Sequence, residues 1–393
     1  MKYYQEKLND KGNIAVDETI LIKDVQTAAG SHILEGFKSL FSAEVVERLE
    51  KGGYVISGTT CTGEFGLDLV GEFSYGNEQQ GKLYGAAAEL VKSGEVKAAL
   101  AVDMNGAPRR AAALSDVVFV KPTYGTVSRY GIISGAASGE QVGVYARNTT
   151  DTAEVLTAIS GHDDKDGTSL RSESYEYSDA MDVSGKRVAV ISNLVSKADD
   201  AVKQRVSAFA EALKGRGVSV SEITCDIFEA TNTAWQILMS AETCNNISRY
   251  DGVKFGYRAE NYKNIDELYI NSRTEGFNFL TKAVIMYGSD VLSKARYADC
   301  YDKSLRVRRV VADALKEIFA QYDAILLPAC GCESYEAYDI KDAFGKVFAE
   351  SVFTGAANLT GIPALAGCGV QLMGSQFSES LLLSLMKNAE GEE

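Results

Sequence analysis

The chain has 393 residues, of which 46% are hydrophobic and 24% are charged, a composition typical of a globular protein with a large core. Its net charge of −14 argues against a broad nucleic-acid-binding surface, because such a surface needs a basic patch. The sequence shows no signal peptide and no apolar run long enough to cross a bilayer. We therefore expect a cytoplasmic protein that contacts neither membranes nor nucleic acid directly.

The cysteine and histidine content limits the chemistry that the chain can support. Seven cysteines, an odd number without a CxxC pair, predict thiols in a reducing compartment rather than disulfides. Cys330-Gly331-Cys332 is a weak metal-binding signal, and His32 and His162 are the only histidines. We therefore predict neither a metal site nor a cofactor.

Hydrophobic periodicity predicts strands alternating with helices in the first half of the chain. Residues 1–18 are polar and predict a short surface lead-in. Strands are predicted at 19–22, 54–58 and 96–103, and helices at 42–52, 83–93 and 150–160. Ser42 is the expected N-cap of the first helix. The Gly-rich segments 59–77 and 125–142 are predicted to be irregular.

The second half continues the alternation. Strands are predicted at 187–192, 218–223, 324–328 and 364–372, and helices at 200–214, 228–247, 343–359 and 375–388. Residues 277–322 predict a nearly continuous helix that breaks near 288–290. This order favours an α/β sandwich with a mixed or parallel sheet. We predict one domain over residues 1–393, with a helical region at roughly 228–322.

The segment from Asp103 to Arg109 is predicted to be a turn between a buried strand and an Ala-rich helix. Hydrolases of the α/β class present a nucleophile at such a turn. Here the turn presents Ala107, which has no reactive atom. Gly106 would let backbone amides point into a cavity, as in an oxyanion hole. Such a cavity could bind a small amide or carboxylate without cleaving it.

Several longer motifs carry a family resemblance. They are Val120–Gly131 (VKPTYGTVSRYG), residues 161–166 (GHDDKD), residues 249–252 (RYDG) and residues 358–363 (NLTGIP). Together they resemble the amidase-signature family, and within it the A subunits of aspartyl/glutamyl-tRNA amidotransferases, which release ammonia from glutamine. The resemblance implies an α/β fold in which a large mixed β-sheet is sandwiched between layers of α-helices. It also implies amidotransferase B and C subunits as partners.

Family catalysis uses a Ser nucleophile, a second Ser that relays a proton, and a Lys base. The resemblance places the base at Lys23, the relay position at Leu83 and the nucleophile position at Ala107. Neither serine is present. Lys23 is alternatively a buried cation paired with Asp24 or Asp103.

The resemblance also implies ligand-binding positions. Those at the turn are Asp103, Met104, Asn105, Gly106 and Arg109. Glu350 or its neighbour Ser351 would hold the amino group of glutamine.

Two interpretations of function follow. In the first, the chain is a catalytically inactive paralogue with a scaffold, regulatory or ligand-binding role, whose partners are the B and C subunits or a complete A-subunit paralogue. In the second, it is an active amidotransferase subunit or amidase that hydrolyses glutamine or another amide with rearranged residues. Cys61 is a further candidate nucleophile, although a reactive cysteine needs a base and a lowered pKa.

Overall fold

The computed structural model describes residues 3–171 and 175–390. The strands are β1 (Tyr4–Lys7), β2 (Ile14–Asp17), β3 (Ile56–Thr60), β4 (Phe73–Ser74), β5 (Asn77–Glu78), β6 (Ala98–Asp103), β7 (Val118–Lys121), β8 (Gln141–Ala146), β9 (Arg187–Ile191), β10 (Ser219–Ile223), β11 (Ala324–Pro328), β12 (Ala364–Gly367) and β13 (Val370–Gly374). The α-helices are α1 (Glu44–Lys51), α2 (Ala86–Lys92), α3 (Ala107–Ser115), α4 (Thr149–Ile159), α5 (Ser192–Val195), α6 (Asp200–Gly215), α7 (Ile227–Asn246), α8 (Ile265–Gly276), α9 (Phe279–Val291), α10 (Lys303–Gln321), α11 (Ala343–Thr360) and α12 (Glu379–Glu390).

Eleven strands form one mixed sheet in the order β1-β3-β2-β6-β8-β7-β12-β13-β11-β9-β10. Strand β2 pairs in parallel with β3 and β6, and β9 pairs in parallel with β10 and β11. The strands between β6 and β11 in this order pair antiparallel. The predicted mixed sheet is therefore confirmed.

Helices cover both faces of the sheet because successive strand side chains point to opposite faces. Ala15, Ala99 and Ala101 face a core formed with α2, α3, α7 and α11. Val16 and Leu100 face a second core formed with α1, α4, α6 and α12. The sheet thus lies between two helical layers, as the family resemblance implies.

The N-terminal prediction was wrong in two respects. Residues 1–18, expected to be a surface lead-in, contain strands β1 and β2, and all four residues of β2 are buried. The predicted strand at 19–22 is absent, and Ile20 makes only an isolated bridge to Ile132. Ile20 and Ile22 are apolar because they are buried in the second core.

Other boundaries also differ from the predictions. Ala43 rather than Ser42 is the N-cap of α1. The predicted irregular segment 125–142 ends in β8, and the long helix breaks between α9 and the π-helical turn Tyr297–Asp302 rather than near 288–290. The predicted strand 364–372 is a hairpin, because Cys368 and Gly369 both adopt positive φ and reverse the chain. No helix within the described ranges is long and apolar enough to cross a membrane.

Candidate active site

The turn after β6 depends on a glycine. Gly106 has φ +81° and is the N-cap of α3, so Ala107 is the first residue of that helix. A Cβ atom at position 106 would lie 2.3 Å from the Cβ atom of Thr354. Only glycine combines this backbone conformation with this close approach. The predicted strand–turn–helix is present, and its first helical residue is alanine.

A buried ion pair fixes the same turn. The guanidinium of Arg109 donates to both carboxylate oxygens of Asp103, at 2.7 and 3.1 Å, and both side chains are fully buried. Arg109 also donates to the carboxamide oxygens of Asn358 and Gln371, each at 2.5 Å. Burial raises the pKa of Asp103, but Arg109 and the hydrogen bond from Asn358 outweigh this effect and hold the pKa below its usual value. Arg109 therefore links the turn to α11 and β13.

A small cavity lies in front of Ala107. Its volume is about 30 Å³, which is room for one or two water molecules because each needs roughly 10–15 Å³. Ala107 and Pro108 from α3 line it on one side, and residues 85–87 at the start of α2 line it on another. The remaining lining residues are Asp17, Thr60, Cys61, Thr62, Gly66, Asp68, Val70, Gly71, Ala101, Val102 and Tyr145.

Lys23 does not belong to this cavity. Its side chain is exposed, so the expectation of a buried cation paired with Asp24 or Asp103 was wrong. The backbone N–H of Lys23 donates to the Ser42 hydroxyl in a surface segment. The strand that ends at the cavity is β2, and its last residue is Asp17. The strand that leads into the cavity therefore ends in a carboxyl side chain, and no lysine is among the described residues that line the cavity.

Leu83 is buried in the apolar core, and its N–H donates to the carbonyl oxygen of Tyr335 at 2.8 Å. It does not line the cavity; the adjacent wall is formed by Gly85, Ala86 and Ala87. None of these four side chains carries a hydroxyl. The segment expected to supply a relay serine therefore presents only backbone and methyl groups to the site.

The other predicted binding residues point elsewhere. Asn105 accepts hydrogen bonds from the Trp235 indole and the Ser351 hydroxyl, at 3.2 and 3.0 Å. Met104 is buried in the apolar core. Glu350 accepts from the Tyr335 hydroxyl at 2.6 Å and lines two other cavities. Of Glu350 and its neighbour, only Ser351 reaches the turn, where it contacts Asn105.

The sequence patterns did not reveal the acidic residues of the cavity. One oxygen of Asp17 accepts from the N–H and hydroxyl of Thr19, both at 2.8 Å. Burial raises the pKa of Asp17, against hydrogen bonds from Thr19 and Thr62 that lower it. Burial and then repulsion by Glu72 raise the pKa of Asp68 well above its usual value. The sequence signal that could have revealed Asp17 is the short run Ile14–Asp17, in which three apolar residues precede a carboxylate. Strand β3 likewise ends in a residue that lines the cavity, Thr60.

Two buried hydroxyls add polarity. Thr60 pairs with Asp17 in register, so their side chains share one face of the sheet. The Thr60 hydroxyl is buried and has no hydrogen-bond partner among the described residues. The Tyr145 hydroxyl donates to the carbonyl oxygen of Pro108 at 2.9 Å. The cavity thus combines two carboxyl groups, hydroxyls and the methyl group of Ala107.

The family of the chain follows from comparison with known proteins. Residues 13–80 and 85–383 match the Amidase family. The chain belongs to the amidase family. The segment between the two matched ranges, residues 81–84, includes Leu83, where the relay serine was expected.

Individual relatives of this amidase-family chain share one description. The chain is 36% identical over 370 residues to the A subunit of glutamyl-tRNA(Gln) amidotransferase from Lachnoclostridium phytofermentans, covering 91% of this chain and 75% of the relative. It is 33% identical over 387 residues to the corresponding protein of Latilactobacillus sakei, covering 93% and 79%. The resemblance to A subunits is therefore confirmed.

Solved structures agree with the family assignment. The crystal structure of the A subunit of glutamyl-tRNA(Gln) amidotransferase from Thermotoga maritima matches with a TM-score of 0.79 at 27% identity, covering 98% of this amidase-family chain and 85% of that chain. The structure of 6-aminohexanoate cyclic dimer hydrolase matches with a TM-score of 0.80 at 20% identity, covering 96% and 84%. The latter likeness shows a shared fold.

Proposed function

We propose that this chain is an amidase-family protein that does not hydrolyse amides and that serves as a scaffold, regulatory or ligand-binding relative of the A subunits of amidotransferases. The observation that carries the proposal is Ala107. Its methyl group lies at the first position of α3 and faces the cavity. A side chain at this point is the one that would attack a bound amide.

The energetic consequence is large. Removing the nucleophile of a Ser-based hydrolase costs about 10⁶-fold in rate, which is roughly 8 kcal/mol of barrier. Residual stabilisation by backbone donors cannot restore the lost covalent step. Amide hydrolysis by the family mechanism is therefore absent, and any hydrolysis would need a nucleophile at another position.

The surroundings of Ala107 support the same proposal. No lysine is among the described residues that line the cavity, and Leu83 leaves no relay hydroxyl. A cavity of about 30 Å³ also has no room for an amino acid such as glutamine. The cavity therefore has no nucleophile at position 107, no lysine base, no relay hydroxyl at position 83 and no space for glutamine.

A second candidate function is amide hydrolysis by rearranged groups. Thr62 and Asp17 both line the cavity, and the interaction of the Thr62 hydroxyl with the Asp17 carboxyl lowers the pKa of Asp17 against the effect of burial. A carboxylate that accepts a proton from a neighbouring hydroxyl is the arrangement of a general base and a nucleophile. Cys61 also lines the cavity, but the pocket contains no histidine among its described residues. Thr62 is therefore the better alternative nucleophile.

The test is ammonia release by the purified chain from glutamine, asparagine and simple aliphatic amides, measured beside a catalytically active relative as the positive control. We expect no release above the uncatalysed rate. Turnover that disappears in both Asp17→Asn and Thr62→Val would instead establish the second candidate. Thr59→Val is the matched control, because Thr59 precedes Thr60 on β3 and points to the opposite face.

The proposed scaffold role requires a protein partner. We propose amidotransferase B and C subunits, or a complete paralogue, because the relatives are named as subunits and the core of the fold is retained. Co-expression with B and C subunits, followed by size-exclusion chromatography, should give a stable complex. The complex should remain inactive towards glutamine. A chain that elutes alone in every combination contradicts the scaffold role but leaves the catalytic proposal intact.

A further inference from the structure

A second, larger cavity lies on another part of the fold. Its volume is about 550 Å³, within the range of small-molecule sites, which is about 300–1,000 Å³. It is bounded by α10, the end of α11 and the loop between β13 and α12. All three segments contribute lining residues, among them Arg309, Lys316 and Phe319 of α10, Ile362 and Phe377. None of them lines the cavity at Ala107.

A small residue lies in the middle of the α10 face that lines the cavity. Arg309, Ala312, Lys316 and Phe319 follow one another at spacings of three and four residues, so they share one helix face. Ala312 supplies only a methyl group in the middle of this face and leaves space above it. The buried side chains of Leu315 and Ile362 form an apolar floor. The interior is therefore suited to the apolar part of a ligand.

Phe377 stands at the mouth in a costly conformation. Its φ is +66°, a region that bulky L-residues avoid, and 56% of the residue is exposed. Its N–H donates to the Thr123 hydroxyl at 2.9 Å, and its ring lies nearly parallel to that of Tyr175 at 6.2 Å. These contacts hold an exposed aromatic face beside the cavity. Strain of this kind is typical of residues that contact ligands.

The charge at the cavity runs against that of the whole protein. Among the described residues that line the cavity, Asp313 is the one acid beside Arg309 and Lys316, and the Arg309 guanidinium already binds Asp313 at 2.8 Å. The Lys316 ammonium therefore leaves a local excess of one positive charge. The chain as a whole has a net charge of −14. An anionic ligand group is favoured here although most of the surface repels anions.

We propose that this cavity binds a small carboxylate with a flat apolar body. The apolar body packs between Phe319, Phe377 and Ile362, and the carboxylate accepts hydrogen bonds from Lys316. The proposal goes beyond the proposed function, because it uses a different cavity and holds whether or not the Ala107 site is active.

The test uses phenylacetate as the probe and phenylacetamide as its uncharged counterpart, with binding to the full chain followed by ligand-observed NMR titration. We expect saturable binding of phenylacetate and about tenfold weaker binding of phenylacetamide. Ala312→Leu fills the cavity without changing a charge and should abolish binding of both probes. Ala320→Leu is the matched control, because Ala320 is exposed on the same helix and does not line the cavity.

Two further variants separate the charge from the aromatic contact. Lys316→Gln should remove the preference for phenylacetate, whereas Lys303→Gln, an exposed lysine of α10 outside the cavity, should keep it. Phe377→Asn tolerates the left-handed backbone and should weaken both probes equally. Equal affinity for acid and amide in the native chain overturns the proposal. Absence of saturation, or undiminished binding by Ala312→Leu, overturns it as well.

Discussion

Arg109 is the residue whose replacement tests the account of the turn most directly. Arg109→Met keeps an apolar stem of similar length and removes five hydrogen bonds, two of them to Asp103. Asp103 then remains fully buried without its cation. Removing one partner of a buried ion pair typically costs about 3–5 kcal/mol. We expect the free energy of unfolding to fall by about this amount.

The assay is urea unfolding followed by two probes. Trp235 is the single tryptophan, is fully buried and donates to Asn105 in the same turn, so its fluorescence reports the site. Far-UV circular dichroism reports the whole fold, and coincident transitions support two-state treatment. Adding Asp103→Asn to Arg109→Met should recover part of the loss, because the unpaired charge is removed.

At acidic pH, the difference in free energy of unfolding between the native chain and Arg109→Met should become smaller. The native pKa of Asp103 is lowered, so its stabilisation is present above the unfolded pKa and is lost as pH falls through the folded pKa. Without Arg109, burial favours the protonated form, and low pH relieves the variant. The control is Arg306→Met, which breaks an exposed pair with Asp302, and such pairs contribute about 0.2–1 kcal/mol. An Arg109→Met loss no larger than that of Arg306→Met refutes the reasoning.

Three other substitutions test neighbouring features. Gly106→Ala should lower the melting temperature more than Gly36→Ala, because both glycines have positive φ but only a Cβ atom at position 106 would meet a side chain, at 2.3 Å. Equal decreases in melting temperature would show that the close approach is relieved at no cost. The stability of Glu18→Gln, relative to the native chain, should rise by about 1.4 kcal/mol per pH unit between pH 4.5 and 8, because burial, followed by repulsion from Asp17, raises the Glu18 pKa to about 8. Urea unfolding at several pH values measures the difference in free energy of unfolding, and a difference that does not change with pH contradicts the prediction. Thr60→Val should be neutral or stabilising, by up to about 1 kcal/mol, because the Thr60 hydroxyl has no hydrogen-bond partner within the described part of the chain, whereas Thr126→Val loses a 2.8 Å hydrogen bond and should destabilise. The opposite order in urea midpoints would contradict the expectation that the Thr60 hydroxyl adds nothing to stability.

Much of the fold could be predicted from the sequence because long periodic segments carry their own signal. Helices α6, α7 and α11 lie within two residues of their predicted bounds, and strand β11 matches its prediction. The turn at Gly106 and Ala107 was also placed correctly, because a buried strand, a glycine and a helix-starting proline mark it locally. Such features depend on residues that are close in the chain.

The parts that were missed depend on distant residues. Strand β2 has only four residues and is defined by its pairing with β3 and β6, so Asp17 was hidden in an apparently polar lead-in. Lys23 was chosen instead because an apolar run precedes it, and that run is buried without forming a strand. The hairpin at Cys368 requires a positive φ at a cysteine, a residue that rarely adopts it, beside Gly369. The local pattern is too short to decide any of these three features.

The buried hydrogen bonds of Arg109 also impose an order on biosynthesis. Its partners Thr354, Asn358 and Gln371 follow it by 245, 249 and 262 residues. At about 5–20 residues per second, the ribosome needs roughly 13–50 s to add the last of them. During that interval the guanidinium and Asp103 can pair only with each other while the core around them is incomplete. The turn that holds Ala107 is therefore among the last parts of the chain to complete its native contacts. Substitutions in this turn should reduce the yield of folded protein more than the stability of the folded variant suggests.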